Sequence, residues 1–369
     1  MALNGLGFKM LKLKNMQSDL FAQAKFEDKV REKSQRLLRI KEIIVWEAFR
    51  GRLDSIWRKN GSVFGRPPMD SIRMFKLLVL QKISGNLSDE QMEFQIIDRD
   101  SFKIFLDIIN FEQVPDRKTI WAYRNILGQV KTEGCTAFDN LFKELTEQVA
   151  SMGYRLEEGD TKIIDAQIVE VPIRRDKRGE KGIIENGGIP EDWSEAKARQ
   201  KDRDADWKKK GDKSYFGYEN HARVDSKSKL IEGYTVTAVS VHDSKETFNL
   251  INKEDEGKEL YADSAYRSAE IESKLAKMGI ESQIHEKGYK NKPLTEAQKE
   301  LNKKKSKTRA RVEHAFAGLE ESCGSFIRSI GLERAKLQIG LNNFVYNLRR
   351  VEFLFRSGFL KRVESSQGF

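Results

Sequence analysis

The stretch from Lys162 to Pro172, with the sequence KIIDAQIVEVP, places the strongest constraint on how this chain can fold. It is short, mostly apolar and rich in β-branched side chains, and it lies between Gly159-Asp160 and Pro172. That pattern reads as a buried strand rather than a helix. Asp165 stands in the middle of it. An unpaired carboxylate removed from water costs several kcal/mol, so the strand needs something that compensates the charge. A metal ion is one candidate. Backbone N–H groups at a strand edge are the other, and this segment alone leaves both open.

The chain has 369 residues, room for two or three domains with sizeable cores. No apolar run approaches a membrane span, and Met1 to Asn15 is too mixed for a secretory signal, so a soluble, intracellular protein is expected. Cys135 and Cys323 show no Cys-x-x-Cys spacing, and His221, His242, His285 and His314 never recur at i, i+4 on one helix. Zinc, disulfide and histidine-based metal sites are therefore not expected. The net charge of +10 suits a polyanionic partner. Its distribution is uneven, since Lys287 to Arg311 carries ten basic residues against two acids, Glu296 and Glu300. Such a run is either a solvated helix face or a surface for phosphates.

Taken in order, residues 17–58 have helical patterning, with Leu37, Ile40, Ile44 and Ala48 on one stripe. Gly65-Arg66-Pro67-Pro68 marks a turn, followed by an amphipathic helix over 69–83 that Gly85-Asn86 ends. Ser88 and Gln91 form a capping box, Ser101 to Ile109 is a further apolar segment, and Asp116 to Gly128 carries Arg117, Lys118, Trp121, Tyr123 and Arg124. These short helices fit either a helix-turn-helix on DNA or an ordinary bundle. A longer helix over 133–152 leads to the strand of Asp165. After Pro172, residues 174–213 hold thirteen basic and ten acidic residues, with Trp193 and Trp207 as the main apolar anchors. That composition predicts an exposed or partly disordered insertion that nucleic acid would order.

Residues 218–225 and 230–241 predict a hairpin around Asp225 to Lys229. A helix over 245–252, a strand over 259–263 ending in Asp263, a helix over 269–278, a strand over 280–284 and helices over 295–319 and 335–355 follow. Three strands followed by alternating helices and strands give the element order of a ribonuclease-H-like fold. The expected fold class is an α/β ribonuclease-H-like catalytic domain, a mixed five-stranded sheet flanked by helices, with an all-α N-terminal region. The expected boundaries are 1–60, 61–155, 156–356 and a tail at 357–369.

In that topology the first and fourth strands run side by side and the helix over 295–319 packs across them. Asp165, Asp263 and Glu313 then converge from distant parts of the sequence. Like charges so placed cannot all stay ionised without a cation, and Mg2+ is the hard ion that prefers oxygen ligands. Two Mg2+ ions about 3.5–4 Å apart suit in-line displacement at phosphorus, with Mn2+ as a substitute.

Ile164 to Pro172, Tyr218 to Asp225, His242-Asp243, Ala262-Asp263-Ser264-Ala265-Tyr266 and Arg309 to Phe316 resemble the blocks of the insertion-sequence-five family of DDE transposases. Gly65 to Pro68, Asn86 to Asp89 and Pro115 to Ile120 resemble the helical N-terminal region of the same family. The resemblance runs from about residue 20 to 355. It implies a DNA transposase whose catalytic and metal-binding triad is Asp165, Asp263 and Glu313. It further implies double-stranded DNA as partner (element ends and target), a homodimer on DNA, no membrane, no small-molecule cofactor, and a bacterial or archaeal cytoplasm. A nuclease that cuts without joining and a repressor that keeps only the scaffold are the rival expectations.

Arg309 lies four residues before Glu313 on the same helical face and matches the family's arginine, a partner for phosphate or for the Glu itself. DNA contacts are expected from Arg309, Arg311, Lys303, Lys304, Lys305, Arg117, Lys118 and Arg124. His314 points about 100° away from Glu313 on the helix, and Glu170 faces the opposite side of its strand from Asp165. Asp160, Asp225 and Asp243 read as turn residues, and His242-Asp243 as a satisfied loop turn.

Overall fold

The structure, a computed structural model, describes residues 28–30, 32–57, 68–109, 114–132, 135–152, 161–177, 179–289 and 292–360. The Gly65-Arg66-Pro67 part of the expected turn, Gly159-Asp160, the start of the first helical segment and the tail beyond Leu360 lie outside the described residues.

The N-terminal region contains α1 (Gln35–Ile43), α2 (Arg50–Trp57), α3 (Ser71–Ile83), α4 (Asp89–Asp98), α5 (Asp100–Leu106), α6 (Arg117–Gln129) and α7 (Ala137–Ser151). A small ladder, β1 (Lys131–Thr132) with β2 (Cys135–Thr136), precedes α7. The long helix expected over 17–58 is broken among its described residues, because Ile44 is extended and a 3-10 turn spans Trp46–Phe49. The break points Trp46 and Phe49 inward, against an aromatic cluster with Phe75, Phe105, Phe138 and Phe344. The caps follow the sequence: Asp70 accepts from Arg73 N, Asp116 accepts from Thr119 N, and Ser88 and Gln91 close a reciprocal box. Gly85 and Asn86 end α3 in left-handed conformation.

The main sheet is built from β3 (Thr161–Glu170), β4 (Asp206–Lys210), β5 (Lys213–Asp225), β6 (Ile231–Ala238), β7 (Glu259–Tyr261) and β8 (Glu281–Ser282). It is mixed and six-stranded, in the order β4-β5-β3-β7-β8, with β6 also on β5. The expected count of five strands is exceeded by β4, which comes from the charged insertion. β5 is long enough to share one edge between two partners, β4 along 213–217 and β6 along 218–224. Its other edge pairs antiparallel with β3, setting Ala222 opposite Asp165. β7 runs parallel to β3 with Tyr261 beside Ile163.

The insertion is folded, contrary to its composition. It holds α8 (Glu180–Glu185) and α9 (Glu195–Arg199), and Trp193 is buried between them, donating to Glu180 Oε1 at 2.7 Å. Lys197 and Lys201 lie over the Trp193 ring at 5.1 and 5.9 Å. The Asp202 carboxylate accepts from the Tyr218 hydroxyl at 2.8 Å and from Gly331 N at 3.1 Å, tying the insertion to the sheet and to the last helix. The opposite charges neutralise one another locally, as in Arg174–Asp176 at 2.8 Å.

The remaining helices are α10 (Thr247–Leu250), α11 (Ala269–Lys277), α12 (Glu296–Cys323) and α13 (Leu332–Arg356). α13 joins the two regions. Its Phe344, Val345 and Leu348 share one core with Phe49, Phe75 and Phe138 of the N-terminal helices and with Ile163 and Ala222 of the sheet. Asn343 and Asn220 bond reciprocally at 2.9 and 3.0 Å, and Asn347 accepts from Ile231 N at 3.0 Å and donates to Ile231 O at 2.7 Å. Gly340 lets α13 come close, because a Cβ there would overlap the Tyr234 hydroxyl and reach 2.8 Å from Phe138 Cδ1. Among the described residues no helix is long and apolar enough to cross a membrane.

Candidate active site

Alternate residues of β3 divide between two environments. Ile164 packs into the cluster of Leu260, Tyr266 and Leu275, while Asp165 and Gln167 face α12, where Gln167 donates to Phe316 O. The Asp165 side chain is 18% exposed, and its Oδ1 accepts from Ala166 N at 2.9 Å. Its Oδ2 accepts from Arg309 Nη1 at 2.6 Å. Burial pushes the Asp165 carboxyl up to about 6, against the pull of Arg309 and the Ala166 N–H; the negative charge of Asp263 adds to the rise.

Asp263 lies two residues beyond Tyr261, so continuing the β3–β7 register sets it level with Asp165. It starts a 3-10 turn, Ser264–Tyr266, and its Oδ1 accepts from Ala265 N at 2.7 Å. The third acid comes from α12. Val312, Ala315 and Leu319 seat that helix, while Asn302 and the Glu286 backbone exchange bonds of 2.8 and 3.0 Å near its start. Glu313 is 63% exposed on the outer side, and its Oε1 lies 3.4 Å from Arg309 Nη2. Arg309 therefore bridges Asp165 of the sheet and Glu313 of the helix.

An all-oxygen donor set with one desolvated carboxylate fits a hard divalent cation. Asp165 and Asp263 already share one neighbourhood. Glu313 is turned to Arg309, and among the described residues no three His, Cys, Asp or Glu side chains stand close enough to hold one ion.

The residues expected to meet DNA separate into two groups. Arg117, Lys118, Lys303, Lys304 and Arg311 are exposed, and Trp121, 59% exposed, lies beside the first two. Lys305 is instead buried, 7% exposed, and donates to Ile284 O at 3.0 Å, so its ammonium anchors α12 rather than facing solvent. Arg124 is also turned inward, with its guanidinium on Asp89 and on Gln81 Oε1. Lys305 and Arg124 thus spend their charges on intramolecular partners in this arrangement. His314 is exposed on α12, Asp225 caps its turn by accepting from Ser228 N at 2.7 Å, and His242 Nδ1 accepts from Ser244 N.

A second polar group, which the sequence did not reveal, lies on the other face of β5. Lys208 of β4 donates to Glu219 Oε1 at 2.6 Å and to Asp243 Oδ1 at 3.1 Å. Burial and the neighbouring Asp243 push Glu219 up to about 7 despite Lys208. His221, two residues on, bonds Thr237 through Nε2 at 2.8 Å, and burial holds its pKa below the usual histidine value. The Tyr266 hydroxyl is buried without a hydrogen-bond partner among the described residues; burial and the charges of Asp243, Asp165, Asp263 and Glu219 raise its pKa. The available signal was the alternation of Glu219, His221 and Arg223 along one strand.

Two solved assemblies resemble the chain. The piggyBac transposase synaptic complex with hairpin DNA matches at 11% identity and TM-score 0.42, covering 89% of this chain and 77% of that one. The pre-cleavage Mos1 transpososome matches at 11% identity and TM-score 0.24, covering 83% of each. The family described as "Transposase domain (DUF772)" matches residues 24–125, the helical region. The family described as "Transposase DDE domain" matches residues 156–348, over half of the chain and all of the sheet, Asp165, Asp263 and Glu313 included. The chain belongs to the DDE-domain transposase family.

Proposed function

We propose that this DNA transposase is of the insertion-sequence-five group and cuts and joins the ends of its element with Asp165, Asp263 and Glu313 as the metal-holding triad. The observation that carries the assignment is the meeting of the three elements: Asp165 on β3 near Asp263 just past the end of the parallel β7, with Arg309 linking Asp165 to Glu313 from α12. Two Mg2+ ions, replaceable by Mn2+, would be held by these carboxylates. When bound, such ions activate an attacking oxygen and stabilise the leaving oxygen of an in-line displacement.

The chain's own residues supply the rest. The β3–β7 pairing fixes the spacing of the two aspartates, and Asp165, kept from water, gains most from a cation. Glu313 completes the set by turning from Arg309. Exposed Lys303, Lys304 and Arg311 on the same helix, and Arg117 and Lys118 on α6, neutralise phosphates of the bound duplex, so binding weakens as salt rises. Because two element ends are processed together, the working species is a homodimer on double-stranded DNA, at the nucleoid of a bacterial or archaeal cytoplasm.

The test is strand cleavage of a labelled duplex carrying the element's end, with a target plasmid and Mg2+, for wild type and for Asp165→Asn, Asp263→Asn and Glu313→Gln. All three variants should retain DNA and lose cleavage. A variant that cuts normally removes its carboxylate from the triad. Wild-type cuts without joined products mean a nuclease, and retention without cuts means a repressor.

A further inference from the structure

We propose that Arg309 is a built-in counter-ion to Asp165 and Glu313, which must give up Asp165 for a divalent cation to enter. The inference rests on the assignment of Asp165, Asp263 and Glu313 as ligands and adds a competition that the assignment alone does not contain.

A single guanidinium touches two of the three acids, Asp165 Oδ2 at 2.6 Å and Glu313 Oε1 at 3.4 Å. A charged hydrogen bond of the shorter length at a largely desolvated carboxylate is among the stronger ones a protein makes. Its third nitrogen is less well placed, since Arg309 Nε is buried without a hydrogen-bond partner among the described residues. The fork is thus aligned on the acids at the expense of one donor. A guanidinium and a divalent ion repel, and the Asp165 oxygen that bonds one is not free for the other. Lys210 is a further positive neighbour of Asp165 and favours the departure of Arg309 once the acids are neutralised from elsewhere.

Arg309 has a way out. Its side chain is 23% exposed, and it lies on α12 one turn before Glu313, itself 63% exposed. Turning outward brings the released charge to the solvent beside Glu313. The consequence is that the wild-type site binds cations more weakly than its carboxylates alone would.

Mn2+ binding to the full chain without DNA tests this, by electron paramagnetic resonance of the free ion, with melting temperature as a second readout. Arg309→Gln should bind Mn2+ about tenfold tighter than wild type, equivalent to about 1.4 kcal/mol. It should also melt lower than wild type in chelator and recover more on Mn2+ addition. Equal or weaker Mn2+ binding by R309Q overturns the proposal. Arg309→Lys, which keeps the charge without the fork, should fall between the two, and the same criterion applies to it should R309Q not stay folded in chelator. Asp165→Asn separates the two levels. If it binds Mn2+ as wild type does, the ligand assignment itself is wrong. If it loses binding while R309Q gains none, only the competition is wrong.

Discussion

Replacing Asp165 by asparagine in the metal-free protein isolates the titration of one carboxyl. In the fold, burial raises this acid from its ordinary 3.8 to about 6. At about 1.36 kcal/mol per unit the difference amounts to about 3 kcal/mol. The sign follows from the folded pKa being the higher one. Below about pH 3 the acid is protonated in both states and carries no penalty; between about pH 4 and 6 the unfolded state ionises while the folded state resists, so stability falls, and above 6 the difference levels off. The amide of the D165N variant cannot ionise. In chelator, the stability difference between wild type and D165N should therefore shift by about 2 kcal/mol against wild type from pH 4.5 to 7.5, roughly 3 °C in melting temperature for a chain of this size. Other titrating groups cancel in that difference. Thermal melts of both proteins across the range provide the measurement. Parallel curves would mean that Asp165 is not desolvated as the structure has it, and the case for a cation at this position would lose its main physical support.

Two further outcomes concern the scaffold. Gly340→Ala should destabilise the protein by about 1–3 kcal/mol, because the added methyl forces Tyr234 and Phe138 off α13; an unchanged denaturation midpoint would show that the helix can retreat without loss. Lys208→Met should lower stability by about 1–2 kcal/mol at pH 8 and less at pH 6, where Glu219 is protonated, the figure being discounted because Lys208 is partly exposed; a loss independent of pH would exclude the ion triad as its cause.

The periodic elements were legible in the sequence because their signals are local. The Ser88–Gln91 box and the helices over 116–128 and 295–319 each need only neighbours within one turn or two. Asp165 and Asp263 stood out for a related reason, an acid where an apolar strand allows none without a partner. Tertiary geometry was not legible. Nothing within a few residues of Lys305 distinguishes it from Lys303 and Lys304, yet one turns to Ile284 and the others to solvent. Arg124 is a parallel case, since its partner Asp89 lies on another helix. The insertion misled by composition. Its folding depends on Trp193 and on Asp202 reaching Tyr218 and Gly331, pairings that a charge count cannot register.

Because α13 shares one core with the N-terminal helices, the order in which the chain is synthesised matters. Phe49, Phe75 and Phe138 leave the ribosome early, but Phe344, which completes their cluster, comes about two hundred residues later. At elongation rates of about 5–20 residues per second, that gap is roughly 10–40 s during which the aromatic surface has no lid. Folding of the first half is therefore contingent on translation reaching α13. A copy of the gene cut short by a frameshift upstream of that helix would yield a chain prone to aggregation rather than a free DNA-binding fragment, and damaged copies would be removed by quality control instead of competing with intact ones.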